Sequence, residues 1–194
     1  MTAIALRSPG RIARPAFILA GLVGIVGLRW EATVRGAASA IEIGLVFGVG
    51  LLVVALAGGW RPAKERRSSV AIGAAGGAVL VALAVVTRSG QIPWLAPAAA
   101  FAPWVTATIL VATAEEVVLR GALFDELARG LGTLGAVLVT SVAFALMHVP
   151  LYGWQVVPLD LGVGLWLAGL RLATGGIAAP AIAHTIADLV MWWL

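Results

Sequence analysis

Long apolar stretches, separated by short polar or Gly- and Pro-containing segments, fill most of this 194-residue chain. A helix needs about 20 mainly apolar residues to cross a bilayer. We predict membrane-spanning helices near 15–29, 38–58, 70–88, 98–119, 133–149, 156–172 and 176–193. The pattern therefore predicts an all-α fold, a polytopic transmembrane helix bundle of about seven spans, with about six to eight possible on length.

Composition supports a membrane protein and argues against a soluble domain. Hydrophobic residues make up 61% of the chain and charged residues 11%, and the mean hydropathy is +1.04. Soluble domains are about 45–50% apolar and about 25% charged. We expect one membrane domain, 1–194, embedded in the lipid bilayer. The chain has no cysteine, which excludes disulfides, thiolate metal sites and a cysteine nucleophile.

The basic residues predict an orientation and argue against nucleic acid as a partner. The net charge is +4, but the basic residues cluster at predicted span ends, where they orient membrane proteins. The first apolar run lacks a clear cleavage site, so we predict a retained first span. The distribution of Lys and Arg favours an N-terminus in the cytoplasm. This orientation places Arg7, Arg11, Arg14, Arg61, Lys64, Arg66, Arg67, Arg120, Arg129 and Arg171 inside, and Arg29, Arg35 and Arg88 outside.

A few ionisable residues lie within or beside apolar sequence instead of in loops. An ionised group at the centre of a membrane helix costs about 2.5–3.5 kcal/mol on insertion scales, so such residues are candidates for a functional site. The candidates are Glu42, Glu115, Glu116, His148, His184 and Asp188.

The segment TAEEVVLRG places two adjacent acids one helical turn before a base. Glu116 and Arg120 are four residues apart, so they share a helix face and can pair. Glu115 points about 100° away from Glu116. We therefore predict that Arg120 holds one acid while the other faces a cavity.

The chain's two histidines lie in helical segments with a similar spacing. Phe144 and His148 are four residues apart in FALMH, and His184 and Asp188 are four residues apart in HTIAD. Acids and histidines contributed by three helices could activate a water molecule.

Each residue also has a purely structural interpretation. A Glu–Arg pair near a helix end can be a snorkelling surface pair. A membrane histidine can be a hydrogen-bonded packing residue, and Asp188 can hydrogen-bond a neighbouring helix. Glu42 stands apart from the three motifs, and we interpret it as a structural or interface acid.

Together, EEVVLRG, FALMH and HTIAD resemble the signature motifs of the CAAX-protease and bacteriocin-processing (CPBP, or Abi) family of intramembrane peptidases. The family pattern is EExxxR, then FxxxH, then HxxxN or HxxxD. The likeness covers residues 98–194, the expected catalytic core, and includes the Gly-rich segment that leads into the last motif. It implies a membrane-embedded endopeptidase that hydrolyses peptide bonds with a Glu/His-activated water.

The resemblance also implies a role for each motif residue. Glu115 would be the general base and His148 its partner, while Glu116 and Arg120 would shape the site. The last motif, His184 and Asp188, would stabilise the oxyanion.

Two positions depart from the common family pattern. Family members often have Asn where this chain has Asp188, and an ionised carboxylate cannot donate to an oxyanion. Asp188 must therefore be protonated or orient His184 through a ring nitrogen, and we prefer the second. Leu119 replaces a common aromatic residue, an apolar exchange that we expect to be harmless.

The metal requirement stays open at this stage. Glu115, His148 and His184 would be a credible set of ligands for one divalent metal such as zinc, with water in the open position. A metal-free mechanism would use the same residues.

Two other functions fit the same sequence. A non-enzymatic bacteriocin-immunity or scaffold membrane protein would keep the fold without needing the full motif set. A proton-coupled transporter would use the acids and histidines as a relay, although the chain lacks the inverted repeat typical of such proteins. If the chain is a peptidase, its composition favours a multi-pass protein of the bacterial cell membrane, acting on a peptide or membrane-protein substrate that is not prenylated.

Overall fold

The computed structural model describes residues 10–87 and 101–190, and all regular structure in these two ranges is helical. The all-α prediction is confirmed. The predicted charges Arg7 and Arg88, and the predicted span residues 98–100 and 191–193, lie outside the described residues. The helices are α1 (Gly10–Val34), α2 (Ala40–Ala57), α3 (Ser68–Thr87), α4 (Phe101–Glu116), a π-helical segment (Val117–Leu123), α5 (Phe124–Tyr152), a short 3₁₀ turn (Trp154–Val156), α6 (Val157–Thr174) and α7 (Ala178–Val190).

Each of the seven predicted segments falls on a helix, but the number of spans stays a prediction. Among the described residues, five helical stretches are long and apolar enough to cross a membrane, and α7 is shorter. One of the five, Phe101–Tyr152, has 52 residues and would reach about 78 Å if straight. Gly132 interrupts it with φ 78° and ψ 171°, a backbone conformation essentially restricted to glycine.

Glu42 has a local structural role at the start of α2. The Ser39 hydroxyl accepts a hydrogen bond from the Glu42 backbone N–H, and the Ser39 N–H donates to Glu42 Oε2 at 2.9 Å. This reciprocal pair is a capping box, which satisfies backbone donors that the first turn leaves free. The geometry agrees with the interpretation of Glu42 as a structural acid.

Close packing of α3 on α7 positions the last helix. Gly73, Gly76 and Gly77 are buried on one face of α3, where an added Cβ would meet α7 or α6 atoms within 3 Å. Small residues let membrane helices approach this closely. The Trp166 indole of α6 also donates to the Gly76 carbonyl at 3.2 Å. These contacts fix α7 beside the rest of the bundle.

A carboxylate from the loop before α3 caps the start of α7. Glu65 Oε1 accepts hydrogen bonds from the backbone N–H groups of Ile177 at 2.8 Å and Ala178 at 3.3 Å. A negative charge at a helix N-terminus satisfies free donors and interacts favourably with the helix dipole. The loop between α2 and α3 therefore helps to hold α7 in place.

Replacing Gly73 with Ala is expected to lower the free energy of unfolding by about 1–3 kcal/mol, the usual cost of overpacking. The new Cβ would lie 2.8 Å from the Ala179 carbonyl oxygen and 2.9 Å from Ile182 Cβ, so α7 must shift. Thermal unfolding of the purified protein in detergent measures the effect. Gly24→Ala is the matched control, because a Cβ at Gly24 meets no atom within 4 Å. Equal melting temperatures for the two variants would contradict this account of the packing.

Candidate active site

Several helices bring the predicted site residues into one region of the bundle. Glu115 and Glu116 are the last two residues of α4, and Arg120 lies in the π-helical segment that follows. His148 is on α5, and the second histidine motif is on α7. π-Helical turns are rare and occur frequently at functional sites.

Arg120 is fully buried and is the centre of a hydrogen-bond network behind the cavity. Its Nη1 donates to Glu116 Oε1 at 3.0 Å, and its Nη2 donates to the Gly164 carbonyl of α6 at 3.0 Å. Its guanidinium also lies 4.8 Å from the centre of the Phe144 ring. The predicted pairing of Glu116 with Arg120 therefore exists in the structure. The orientation prediction counted Arg120 among the charges on the cytoplasmic side. The structure instead buries this side chain completely within the bundle.

His184 has carboxylates at both ring nitrogens. Its Nδ1 lies 3.1 Å from Glu116 Oε1, a hydrogen-bond distance. Its Nε2 lies 3.4 Å from Asp188 Oδ2 and 3.8 Å from Glu115 Oε2. Both Nε2 distances exceed the usual 2.7–3.2 Å range of an N–H···O bond. Glu116 thus orients the ring, while Nε2 points towards two acids without a tight bond to either.

His148 is oriented through its Nδ1. This nitrogen lies 2.9 Å from the Phe144 carbonyl oxygen and 3.3 Å from Asp160 Oδ2 of α6. A carbonyl oxygen only accepts, so Nδ1 carries the hydrogen and donates it. In the neutral ring, Nε2 then has the lone pair. The Phe144 ring lies edge-on to both histidines, with centroid distances of 4.9 Å to His148 and 5.3 Å to His184.

Both histidines face a common cavity of about 590 Å³. Helices α1 to α7 all contribute to its wall, and Glu115 is the acid from the first motif that lines it. Glu116 is not among the lining residues, in agreement with the prediction that one acid is held and the other faces a cavity. The polar and aromatic residues of the wall are Arg29, Trp104, Thr108, Glu115, Phe144, His148, Tyr152, Asp160, His184 and Asp188.

Two charged residues of this cavity were not predicted as site residues. Asp160 is the one acid in VVPLDLGVGLWL, near the start of the predicted span 156–172, and this position in apolar sequence is the signal that could have identified it. Arg29 was interpreted as an orientation charge, but its Nη1 lies 4.0 Å from Glu115 Oε1. No spacing rule links α1 or α6 to the motifs, so only the tertiary structure reveals these two neighbours.

The geometry does not assemble the predicted metal ligands into a metal site. Within residues 10–87 and 101–190, no group of three or more His, Cys, Asp or Glu side chains has the arrangement needed to hold a metal ion.

The fold and the cavity define a multi-pass helical membrane protein with acids and histidines around a common interior space. Residues 97–190 match the family model described as type II CAAX prenyl endopeptidase, Rce1-like. This match confirms the resemblance stated from the three motifs. It covers just under half of the chain and includes the motif residues Glu115, Glu116, Arg120, His148, His184 and Asp188, but not the candidate Glu42. The family is one of CAAX-type intramembrane endopeptidases. No curated protein and no solved structure matches the chain.

Proposed function

We propose that this chain is an intramembrane endopeptidase that hydrolyses peptide bonds with a water molecule activated by Glu115 and His148. The observation that supports this most strongly is the shared cavity, which has Glu115, His148 and His184 in its wall. The Rce1-like match over the same residues supports the reaction class.

Glu115 is suited to act as the general base. Its side chain is 2% exposed and lines the cavity, and no hydrogen bond within the described part of the chain occupies its oxygens. Glu115 takes a proton from water as the water oxygen attacks the substrate carbonyl carbon. It then returns this proton to the amide nitrogen when the carbon–nitrogen bond breaks. His148 holds the same water through Nε2, the nitrogen that its bond to Phe144 leaves available.

His184 is suited to stabilise the oxyanion. Carboxylates face both ring nitrogens of His184, an arrangement that fits the imidazolium form, in which each nitrogen carries a hydrogen. An oxyanion donor must lie about 2.7–3.1 Å from the developing charge, and the long distances from Nε2 to Asp188 and Glu115 leave its N–H free to move onto a stronger acceptor. Asp188 is 41% exposed and lies 3.4 Å from Nε2, so its charge attracts the Nε2–H towards the cavity while Glu116 holds the ring at Nδ1. This role fits the aspartate at this position, because an ionised carboxylate accepts hydrogen bonds and cannot donate them.

Purification in lipid nanodiscs, incubation with a mixed peptide library, and mass spectrometry of the products test the function. Metal analysis and a chelator-treated sample are run in parallel. Chelator-insensitive cleavage supports the side-chain mechanism. Cleavage that requires stoichiometric bound metal would replace it with a metallopeptidase mechanism on the same residues. No cleavage of any peptide by folded protein would favour the immunity or scaffold function.

Replacing Asp160 with Asn is expected to lower kcat/KM about tenfold, because about 1.4 kcal/mol of attraction between its carboxylate and the Nδ1–H of His148, 3.3 Å away, would be lost. Asn keeps the size of the side chain but removes the negative charge, so the His148 ring is held less firmly in its orientation. The pH profile of cleavage should also change shape, which a purely structural defect would not cause. Asp125→Asn is the control, because Asp125 pairs with Arg171 at 2.9 Å and does not line the cavity. Equal rates and profiles for both variants would contradict a positioning role for Asp160.

A further inference from the structure

Arg29 brings a cation into the cavity from a part of the chain that the family match does not cover. It lies on α1, whereas the match begins at residue 97. Its side chain is 20% exposed and forms part of the cavity wall together with Glu115 and His148. Arg29 belongs to none of the three motifs and lies outside the matched residues, so neither gives it a role in the cavity.

The donors of this guanidinium have no hydrogen-bond acceptor among the described residues. The nearest carboxylate oxygen, Glu115 Oε1, is 4.0 Å away, beyond the 2.7–3.2 Å of a hydrogen bond. The other contact is with the Phe47 ring, whose centre lies 4.4 Å below the guanidinium carbon. A cation–π contact of this kind holds the guanidinium plane in place while leaving its edge of five N–H groups free.

Arg29 is a permanently charged cation in a wall that also holds three acids and two histidines. Among the described residues that line the cavity, Arg29 is the single Lys or Arg, while Glu115, Asp160 and Asp188 are acids. Arg120, the other arginine of the region, is fully buried and already donates to Glu116 and Gly164. A carboxylate that enters the cavity is therefore attracted to the guanidinium of Arg29.

We propose that Arg29 binds a carboxylate of the substrate and thereby selects where the chain is cleaved. A planar guanidinium with free edge donors recognises a carboxylate by two parallel hydrogen bonds, which adds geometric specificity to the charge attraction. The 4.0 Å separation from Glu115 places this anchor next to the proposed general base. The carboxylate therefore belongs to the residues close to the scissile bond. The selection of a cleavage site rests on the proposed peptidase function, but binding of the carboxylate can be measured separately from cleavage.

Three peptide pools identify the carboxylate and its source. The first has a free C-terminal carboxylate and contains no Asp or Glu. The second has the same sequences with an amidated C-terminus. The third is amidated and contains Asp or Glu near the C-terminus. Nanodiscs with wild type, Arg29→Gln, Arg29→Lys or the control Arg35→Gln are incubated with each pool, and retained and cleaved peptides are quantified by mass spectrometry. Arg35 follows the last residue of α1, is exposed, and pairs with Glu31.

Wild type and Arg35→Gln are expected to retain a carboxylate-bearing pool roughly ten- to hundredfold better than the amidated pool without acids, the range for hydrogen bonds to charged groups. Preferential retention of the first pool would identify the C-terminal carboxylate as the group that Arg29 binds. Preferential retention of the third pool would identify an acidic side chain. Arg29→Gln should lose the preference while still retaining amidated peptides, and Arg29→Lys should restore part of it.

Equal retention of all three pools by wild type would overturn the proposal, whether or not any peptide is cleaved. An equal loss of retention for all pools in Arg29→Gln would also overturn it, since Arg29 would then act only as a counterion for Glu115. Selective retention without cleavage would instead support Arg29 as the anchor and contradict the proposed hydrolysis. The two failures are therefore distinguishable.

Discussion

Replacing Glu115 with Gln is expected to lower the rate of peptide hydrolysis by about 10²- to 10⁴-fold, the usual contribution of a general base. Gln has nearly the same shape as Glu, so the cavity wall is preserved, but its amide cannot accept a proton from water. Steady-state cleavage of a fluorogenic peptide measures the effect. Substrate retention should change little, because the base acts mainly in the transition state.

Glu42→Gln is the matched control for this variant. Glu42 also lies in a membrane helix, but it is exposed and its carboxylate belongs to the capping box of α2. Its replacement should leave the rate within about twofold of wild type, because Glu42 does not line the cavity. Only the capping of α2 should become weaker. A folded Glu115→Gln protein that cleaves as fast as Glu42→Gln would refute the assignment of Glu115 as the base.

Replacing Arg120 with Met is expected to lower the free energy of unfolding by about 3–5 kcal/mol, the cost of leaving one member of a buried ion pair alone. Met fills a similar volume but cannot donate to Glu116 or to the Gly164 carbonyl, so Glu116 remains as a buried charge with only His184 beside it. Thermal unfolding in detergent and the yield of folded protein both report this loss.

The double variant Glu116→Gln/Arg120→Met separates the buried charge from other effects of the substitution. A neutral Gln in place of the carboxylate should recover at least about 1 kcal/mol of the loss, because the unpaired charge is no longer present. If the double variant is less stable than Arg120→Met alone, the buried-charge explanation of the Arg120 effect is wrong.

The length of the apolar stretches was sufficient to predict the helical fold, because a segment that crosses a membrane must satisfy its own backbone hydrogen bonds and does so as a helix. The segments predicted near 38–58 and 70–88 differ from α2 and α3 by only one or two residues at each end. Backbone breaks were not predictable in the same way. Gly132, the π-helical segment and the extension of α1 to Val34 depend on packing between helices, which a one-dimensional pattern does not contain.

The motif residues were predictable because ionised groups are costly in apolar sequence, and because local spacing determines which side chains share a helix face. The Glu116–Arg120 pair follows directly from its separation of four residues. Contacts between distant segments did not follow. Asp160 meets His148, and Arg29 approaches Glu115, only because α6 and α1 pack around the cavity.

The most direct test of the central claim is the appearance of new peptide termini. Wild type and Glu115→Gln, both folded in lipid nanodiscs, are incubated with the same peptide library, and the products are identified by mass spectrometry. The account predicts paired fragments from wild type whose masses add up to the parent peptide plus one water, and almost none from Glu115→Gln. Absence of paired fragments with wild type, or equal amounts with both proteins, would contradict it.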